Sequence, residues 1–324
     1  IIATKQRARK ILPNPNLLPV NWGNIAQAKP TKTDKLLICG SGYFFPTATG
    51  ELPKRIANDL KEIKESGAEL HLLGTGFNYL LRWPALKLNP DAKNTLQEYL
   101  KLSTTITVRD HNTKQFLQDF TPKDIRIIGD PALFIAAPSH EIQARKKDTA
   151  IKISVNIPFH GPGSTEWIKK NLFDFIGTLK AIRTRVQCEF FYFVHYDSEI
   201  LVAALIADSG VPITVIDCAT AELPSEYAKM DLHIGGMLHS CILATAAGTP
   251  SIALAYDKKH FGFFALMESS DYCINASHFH GKELQAKVFA LLNNIQEQRT
   301  KIKIRREELA LDFEKTILNI AGSE

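Results

Sequence analysis

Long apolar runs are absent from this 324-residue chain: no window approaches eighteen uncharged apolar residues, and no basic start with an apolar middle marks a secretory leader. Neither a membrane-spanning helix nor an export signal is expected, and the cytoplasm is the expected location. Cysteine is scarce and scattered. Cys39, Cys188, Cys218, Cys241 and Cys273 form no C-x-x-C and no metal spacing with histidine, so reduced, mostly buried thiols are expected in place of a disulfide framework. Asp271 and His280 do not stand at metal-ligand spacing, and the carboxylates show no paired motif. Neither a metal site nor a redox cofactor is implied.

Charge of one sign is lacking as well. The net charge is +5, with basic residues scattered outside RTKIKIRR at 299–306, which leaves no footprint for nucleic acid. That stretch puts five cations in eight positions. It reads as the solvated face of a helix with Ile302 and Ile304 packing inward; the other reading is peripheral contact with a partner or with anionic lipid at the inner face of the plasma membrane. No internal repeat is visible. The chain opens at Ile1 and not at methionine, so a fragment or a trimmed chain without its first strand is expected.

What is present is an ordinary globular composition, 45% hydrophobic and 23% charged, long enough for two domains with separate cores. Short β-capable runs alternate with helical ones. Strands are expected at 35–39, 69–73, 104–108 and 125–128, with helices such as 53–66 and 112–119 between them. A second run follows, with strands at 151–157, 189–195, 213–216, 232–234 and 251–255. The polar stretch HEIQARKKDT at 140–149 is the expected linker. This alternation predicts an α/β fold of two doubly wound Rossmann-like domains facing across a cleft, at 1–147 and 148–324, the second carrying C-terminal helices.

The densest passage is DLHIGGMLHSCILATAAGTPSIALAYDKK at 231–259, which compresses strand, glycine turn, helix, turn and strand. Gly235 and Gly236 permit a tight turn, Leu238 to Ala247 make a small-residue helix, and Gly248 with Pro250 stop it. A helix amino terminus behind glycines offers N–H groups to an anion, and loops beyond strand carboxyl ends hold ligands in open α/β sheets. His239 and Ser240 sit at that helix start.

These residues resemble the carboxyl-terminal signature of the polysaccharide pyruvyl transferase family: G-x-R-L-H, a small-residue helix, G-x-P, then S-Y-D-x-K. KLLICGSGYF at 35–44, TVRD at 107–110, IIGDPALF at 127–134 and YFVHYDSE at 192–199 are similar to further family segments in the same order, so the resemblance covers most of the chain. The family's opening N-x-G-D has only a faint echo at 21–24. The resemblance implies a glycosyltransferase-B-like fold, with the acceptor on the N-terminal side and the donor on the C-terminal side. It also implies transfer of a pyruvyl group from phosphoenolpyruvate to a sugar of a cell-surface polysaccharide, forming a cyclic ketal. One departure is central. Met237 stands where the family has the arginine taken to grip the phosphate or carboxylate of phosphoenolpyruvate, and a thioether cannot pair with an oxyanion.

The candidate site residues follow from strand ends and from this resemblance. Gly40, Ser41 and Gly42 suit close backbone approach to a phosphate or sugar, and Gly74 with Gly76 repeats the device to make a cleft floor; a plain tight turn is the bland alternative. Arg109 is the obvious remaining cation for a carboxylate, or else part of an interdomain salt bridge, and Asp110 is expected to cap the following helix. Asp130 with Pro131 is read as a turn. Lys259 matches the lysine of Y-D-x-K and joins Tyr256, Gly235, Gly236, Met237, Leu238 and Ser240 as a substrate-binding candidate. His239 and His195 are the catalytic candidates, since an imidazole titrates near neutrality. His160 is weaker, His233 is expected inside a strand, and His260, His278 and His280 carry no interpretable spacing. Two further functions stay open. A glycosyltransferase would hold the phosphates of a sugar nucleotide at the same helix start without needing the arginine, and a noncatalytic descendant would bind glycan or scaffold an assembly.

Overall fold

A computed structural model of the chain describes residues 2–3, 19–20, 25–78, 87–135, 149–159 and 162–322. The segment 21–24, His160 and all but the last residue of 140–149 lie outside the described residues. The chain forms two compact units. The first comprises Ile1–Pro131, Asp257–Leu266 and Glu308–Glu324, and the second Ala132–Tyr256 and Met267–Glu307.

The first unit holds β1 (Ile2–Ala3), β2 (Pro19–Val20), β3 (Lys35–Cys39), β4 (Glu69–Thr75), β5 (Ser103–Val108) and β6 (Arg126–Ile127) in one parallel sheet of order β2-β1-β3-β4-β5-β6. Parallel neighbours require crossovers, supplied by α1 (Lys54–Ser66), α2 (Pro90–Leu102) and α3 (His111–Gln118). In α1 the residues Ile56, Leu60 and Ile63 recur at helical spacing and are buried. Each such burial contributes about 2 kcal/mol, which outweighs the roughly 1 kcal/mol forgone because Pro53 offers no side-chain cap. Gly67 ends the helix at φ 66°, sending its N–H to the Ile63 carbonyl. These side chains pack on Leu36, Ile38, Leu70, Leu72 and Ile106 of the sheet.

The second unit holds β7 (Ile151–Asn156), α4 (Pro162–Arg185), β8 (Cys188–Phe193), α5 (Ile200–Asp208), β9 (Ile213–Ile216), α6 (Leu223–Tyr227), β10 (Leu232–Gly235), α7 (Leu238–Ala246) and β11 (Ser251–Ala255). After β11 come α8 (Lys258–Leu266), which belongs to the first unit, then β12 (Cys273–Asn275), α9 (Gly281–Asn293) and α10 (Ile295–Ala321). Its sheet is again parallel, in the order β12-β11-β10-β7-β8-β9. Every residue of β10 and β11 is buried, as expected for strands covered on both faces.

The observed strands reproduce 35–39, 213–216 and 251–255 as read from the sequence. β8 stops at Phe193, so His195 lies two residues past the strand and not at its end. β12 was not foreseen. Ile302 and Ile304 do not both pack inward: positions two apart on a helix face opposite ways, and Ile302 is 7% exposed while Ile304 is 53% exposed. All five cysteines are free thiols. Among the described residues no helix is long and apolar enough to cross a membrane.

Candidate active site

Three strand ends meet in the second unit. Gly235 of β10 pairs with Asn156 of β7, and β8 is the other neighbour of β7. From β7 the chain proceeds to β8 and β9 on one side, then returns to place β10 on the other, so the order reverses between β7 and β10. The carboxyl edge at such a switch point is where open parallel sheets hold ligands.

Gly236 sends its N–H to the Asn156 carbonyl at 2.7 Å. The two glycines are required for close approach and not for a positive φ. A Cβ on Gly235 would lie 2.5 Å from His233 Nε2 and 2.6 Å from Cys241 Sγ, and one on Gly236 would lie 2.5 Å from Pro158. Met237 is the N-cap of α7, extended and without a side-chain cap bond, and its thioether is buried. The first turn of α7 therefore presents its N–H groups and the positive end of its dipole with no capping side chain in the way.

Around this turn runs a buried polar network. Ser240 Oγ donates to the Met237 carbonyl at 2.8 Å and bonds His233 Nε2 at 2.8 Å, while His233 Nδ1 bonds Ser154 Oγ at 3.0 Å and Ser154 Oγ also reaches the Leu232 carbonyl at 3.3 Å. Burial drives His233 down to about 3, so it is neutral, and it pins α7 to β7 and β10. His195 bonds through Nε2 to Tyr227 Oη at 2.9 Å, and Tyr227 stacks on Phe193 with ring centroids 4.1 Å apart. Burial, reinforced by neighbouring His239, lowers His195 to about 4 and leaves it an uncharged imidazole at neutral pH.

The turn bearing His195 is held by Glu199, whose Oε2 accepts the His195 N–H at 2.8 Å and Asn156 Nδ2–H at 3.0 Å. Asn156 Nδ2 also donates to the Phe193 carbonyl at 3.0 Å. Glu199 is fully buried, and burial raises its carboxyl to about 7. The sequence reading missed Glu199, Asn156 and Tyr227. Tyr227 reaches His195 from α6, thirty-two residues away, and no local pattern announces that.

The first unit gathers the other candidates. Gly40, Ser41 and Gly74 take φ of 57°, 58° and 59°. A Cβ on Gly74 would lie 2.4 Å from the Gly129 carbonyl, and one on Gly42 would overlap the Asn78 side chain, so these turns are packed against protein. Arg109 is 3% exposed and donates to Asp110 at 3.3 Å and to Asn78 Oδ1 at 2.8 Å, with Asp130 at 3.6 Å. Asp110 caps α3 through the Thr113 N–H at 2.7 Å. Lys259 lies in the first turn of α8, its N–H bonded to Asp257 Oδ1 at 2.9 Å, and α8 lies on α3 through Asn112 Nδ2 and the Lys258 carbonyl at 3.1 Å. The structure thus brings His195, Gly235, Gly236, Met237, Leu238, His239 and Ser240 together, with Tyr256 just beyond β11 in the same unit. It groups Gly40, Ser41, Gly42, Gly74, Arg109 and Lys259 in the other. Among the described residues no group of three or more histidines, cysteines or carboxylates is placed to hold a metal ion.

The fold has relatives among solved structures. A putative UDP-N-acetylglucosamine 2-epimerase from Listeria monocytogenes matches at TM-score 0.55 and 15% identity, covering 86% of this chain and 70% of that one. The pneumococcal O-GlcNAc transferase GtfA, in complex with UDP and GlcNAc, matches at 0.54 and 15%, covering 92% and 59%. S. aureus MnaA with UDP matches at 0.56 and 12%, covering 92% and 78%. At such identities the likeness establishes the fold alone: two doubly wound units of the glycosyltransferase-B kind. No curated protein matches. The family model for polysaccharide pyruvyl transferase matches residues 1–258, well over half of the chain and inclusive of the strand ends, the GGMLHS turn and the Y-D-x-K start, and the chain belongs to the polysaccharide pyruvyl transferase family.

Proposed function

We propose that this protein transfers the pyruvyl group of phosphoenolpyruvate to two hydroxyls of one sugar in a cell-surface polysaccharide or its precursor. The observation that carries the reading is the uncharged His195, bonded to Tyr227 and adjacent to His239, at the sheet's switch point beside the α7 amino terminus. The donor's methylene carbon gains a proton and becomes methyl. One sugar hydroxyl adds to the resulting cationic carbon and gives up its proton; the second hydroxyl displaces phosphate and gives up another. One of those protons replaces the one added to carbon, and the other leaves on the phosphate. His195, neutral, receives a hydroxyl proton, and His239 delivers one. The first turn of α7 receives the departing phosphate through N–H groups. No redox cofactor enters this scheme.

The test is phosphate release from phosphoenolpyruvate across a panel of saccharide acceptors. Release with one acceptor, lost in His239→Ala, is expected; silence across the panel, or full release after that substitution, would sink the reading. A second reading is supported by Met237 and by the UDP bound in MnaA and GtfA: a sugar nucleotide held at the same helix start. Thermal stabilisation by one nucleotide diphosphate and none by phosphoenolpyruvate would select it.

A further inference from the structure

Two buried oxygens beside His195 have no donor. Glu199 Oε1 and Asn156 Oδ1 each lack a hydrogen-bond partner, although both residues are fully buried and are already joined to each other through Asn156 Nδ2 and Glu199 Oε2. The amide cannot be turned round to relieve this. Its nitrogen spends one proton on the Phe193 carbonyl and one on Glu199, and an oxygen in its place would set acceptor against acceptor twice. Oε2 is well supplied, taking N–H groups from His195 at 2.8 Å and Tyr196 at 3.4 Å. An ionised Glu199 would leave two bare acceptors and an unpaired charge in the core, which is costly.

We propose that Glu199 is a neutral carboxylic acid with its proton on Oε1 shared with Asn156 Oδ1, and that this acid–amide pair is the positioning device that holds the His195 turn. The pair then mirrors itself: the amide N–H serves Oε2 while the acid O–H serves Oδ1, and one proton satisfies both orphan atoms. The titratable groups bearing on the carboxyl are Tyr192 of β8 and Tyr227 of α6, while His195 meets it through its backbone N–H, and burial moves its titration to about 7. The inference deepens the proposed function. A site meant for a donor carrying both phosphate and carboxylate is relieved of a buried negative charge, and His195 is left without a carboxylate partner that would protonate it.

Infrared spectroscopy tests the proton directly and needs no substrate. At pH 6 the protein should show a protonated-carboxyl stretch that shifts in heavy water, titrates away around neutrality and is missing from Glu199→Gln; absence of that band at pH 6 overturns the proposal. Should Glu199→Gln fail to fold, Asn156→Ser keeps the acid but removes its partner, so the band must move in frequency and midpoint, and an unmoved band is equally fatal. Positioning is read from the His195 imidazole by NMR titration. Glu199→Gln, which can still accept at one atom and donate at the other, should leave the midpoint near wild type, whereas Glu199→Ala should displace it; identical behaviour of the two variants refutes the role. If phosphoenolpyruvate proves not to be the donor, these spectra are unaffected, so the two readings fail separately.

Discussion

Acidification from pH 6.5 to 4.5 should destabilise this protein through His195 and His233 while Glu199 opposes them. Both histidines are held below their ordinary 6.5, at about 4 and about 3, by burial. For groups depressed on folding, the stability they contribute is present above 6.5 and disappears as pH falls through the folded value, because the unfolded chain takes up protons that the native one refuses. Glu199 runs the other way. Its carboxyl is raised from 4.5 to about 7, so its contribution is complete below 4.5 and is lost as pH rises through 7. Between 4.5 and 6.5, unfolding therefore takes up two protons at the histidines and releases one from Glu199. The net of one proton makes stability fall by about 1.4 kcal/mol for each pH step downward. In Glu199→Gln the opposing proton is gone, and the slope from these groups should double to about 2.7 kcal/mol per step. Urea midpoints at half-unit pH intervals give both slopes, and the difference between the two proteins cancels the carboxylates common to them. Parallel wild-type and Glu199→Gln curves across this window would refute the reasoning, since they would mean that Glu199 is ionised in the folded state.

Tyr227→Phe keeps the stacking on Phe193 but removes the hydroxyl 2.9 Å from His195 Nε2, so a loss of about 1–2 kcal/mol in urea unfolding should accompany at least a tenfold fall in phosphate release; unchanged turnover would take Tyr227 out of the account. Gly235→Ala forces a methyl to within 2.5 Å of His233 Nε2 and should cost about 1–3 kcal/mol or more, with calorimetry deciding whether the site is as tightly packed as described. Met237→Arg places a guanidinium where a buried thioether sits, so the free protein should melt lower than wild type while phosphoenolpyruvate raises its melting temperature further than it raises that of wild type. An unaltered affinity in a folded variant would mean that position 237 does not face the donor.

How much of this was legible beforehand depended on whether a feature is local. The strands at 35–39, 213–216 and 251–255 are short apolar runs cut off by glycine, proline or charge, and the structure places them at those bounds. The small-residue helix after GGMLHS forms because Ser240, Cys241, Ala244 and Ala246 let it lie buried against β10 and β11, and side-chain size is written in the sequence. β8 was misread at its end because VHY continues the β-branched and aromatic pattern while the backbone N–H of His195 turns to the Glu199 carboxyl group. A side chain captured what the ladder would otherwise have used. Ile302 and Ile304 misled for a different reason: the stretch is the helix expected, but positions two apart on a helix do not share a face, and α10 turns them apart.

The polar partners of the site are of another kind. His233 looked like a strand residue and is one, yet its function in the fold comes from Ser154 and Ser240, which lie seventy-nine and seven residues away. Tyr227 and Asn156 meet the His195 turn only because β7 and β8 are adjacent and α6 packs against Phe193 of β8. A strand end, a glycine turn or a helix cap is specified within a few residues and can be read there. The protonation state of the His195 imidazole is set by burial and by His239, which sequence separates from it and the sheet order brings beside it. For this chain the motif histidines say where chemistry is expected, whereas Tyr227 and Glu199 fix how the His195 turn and its ring are held.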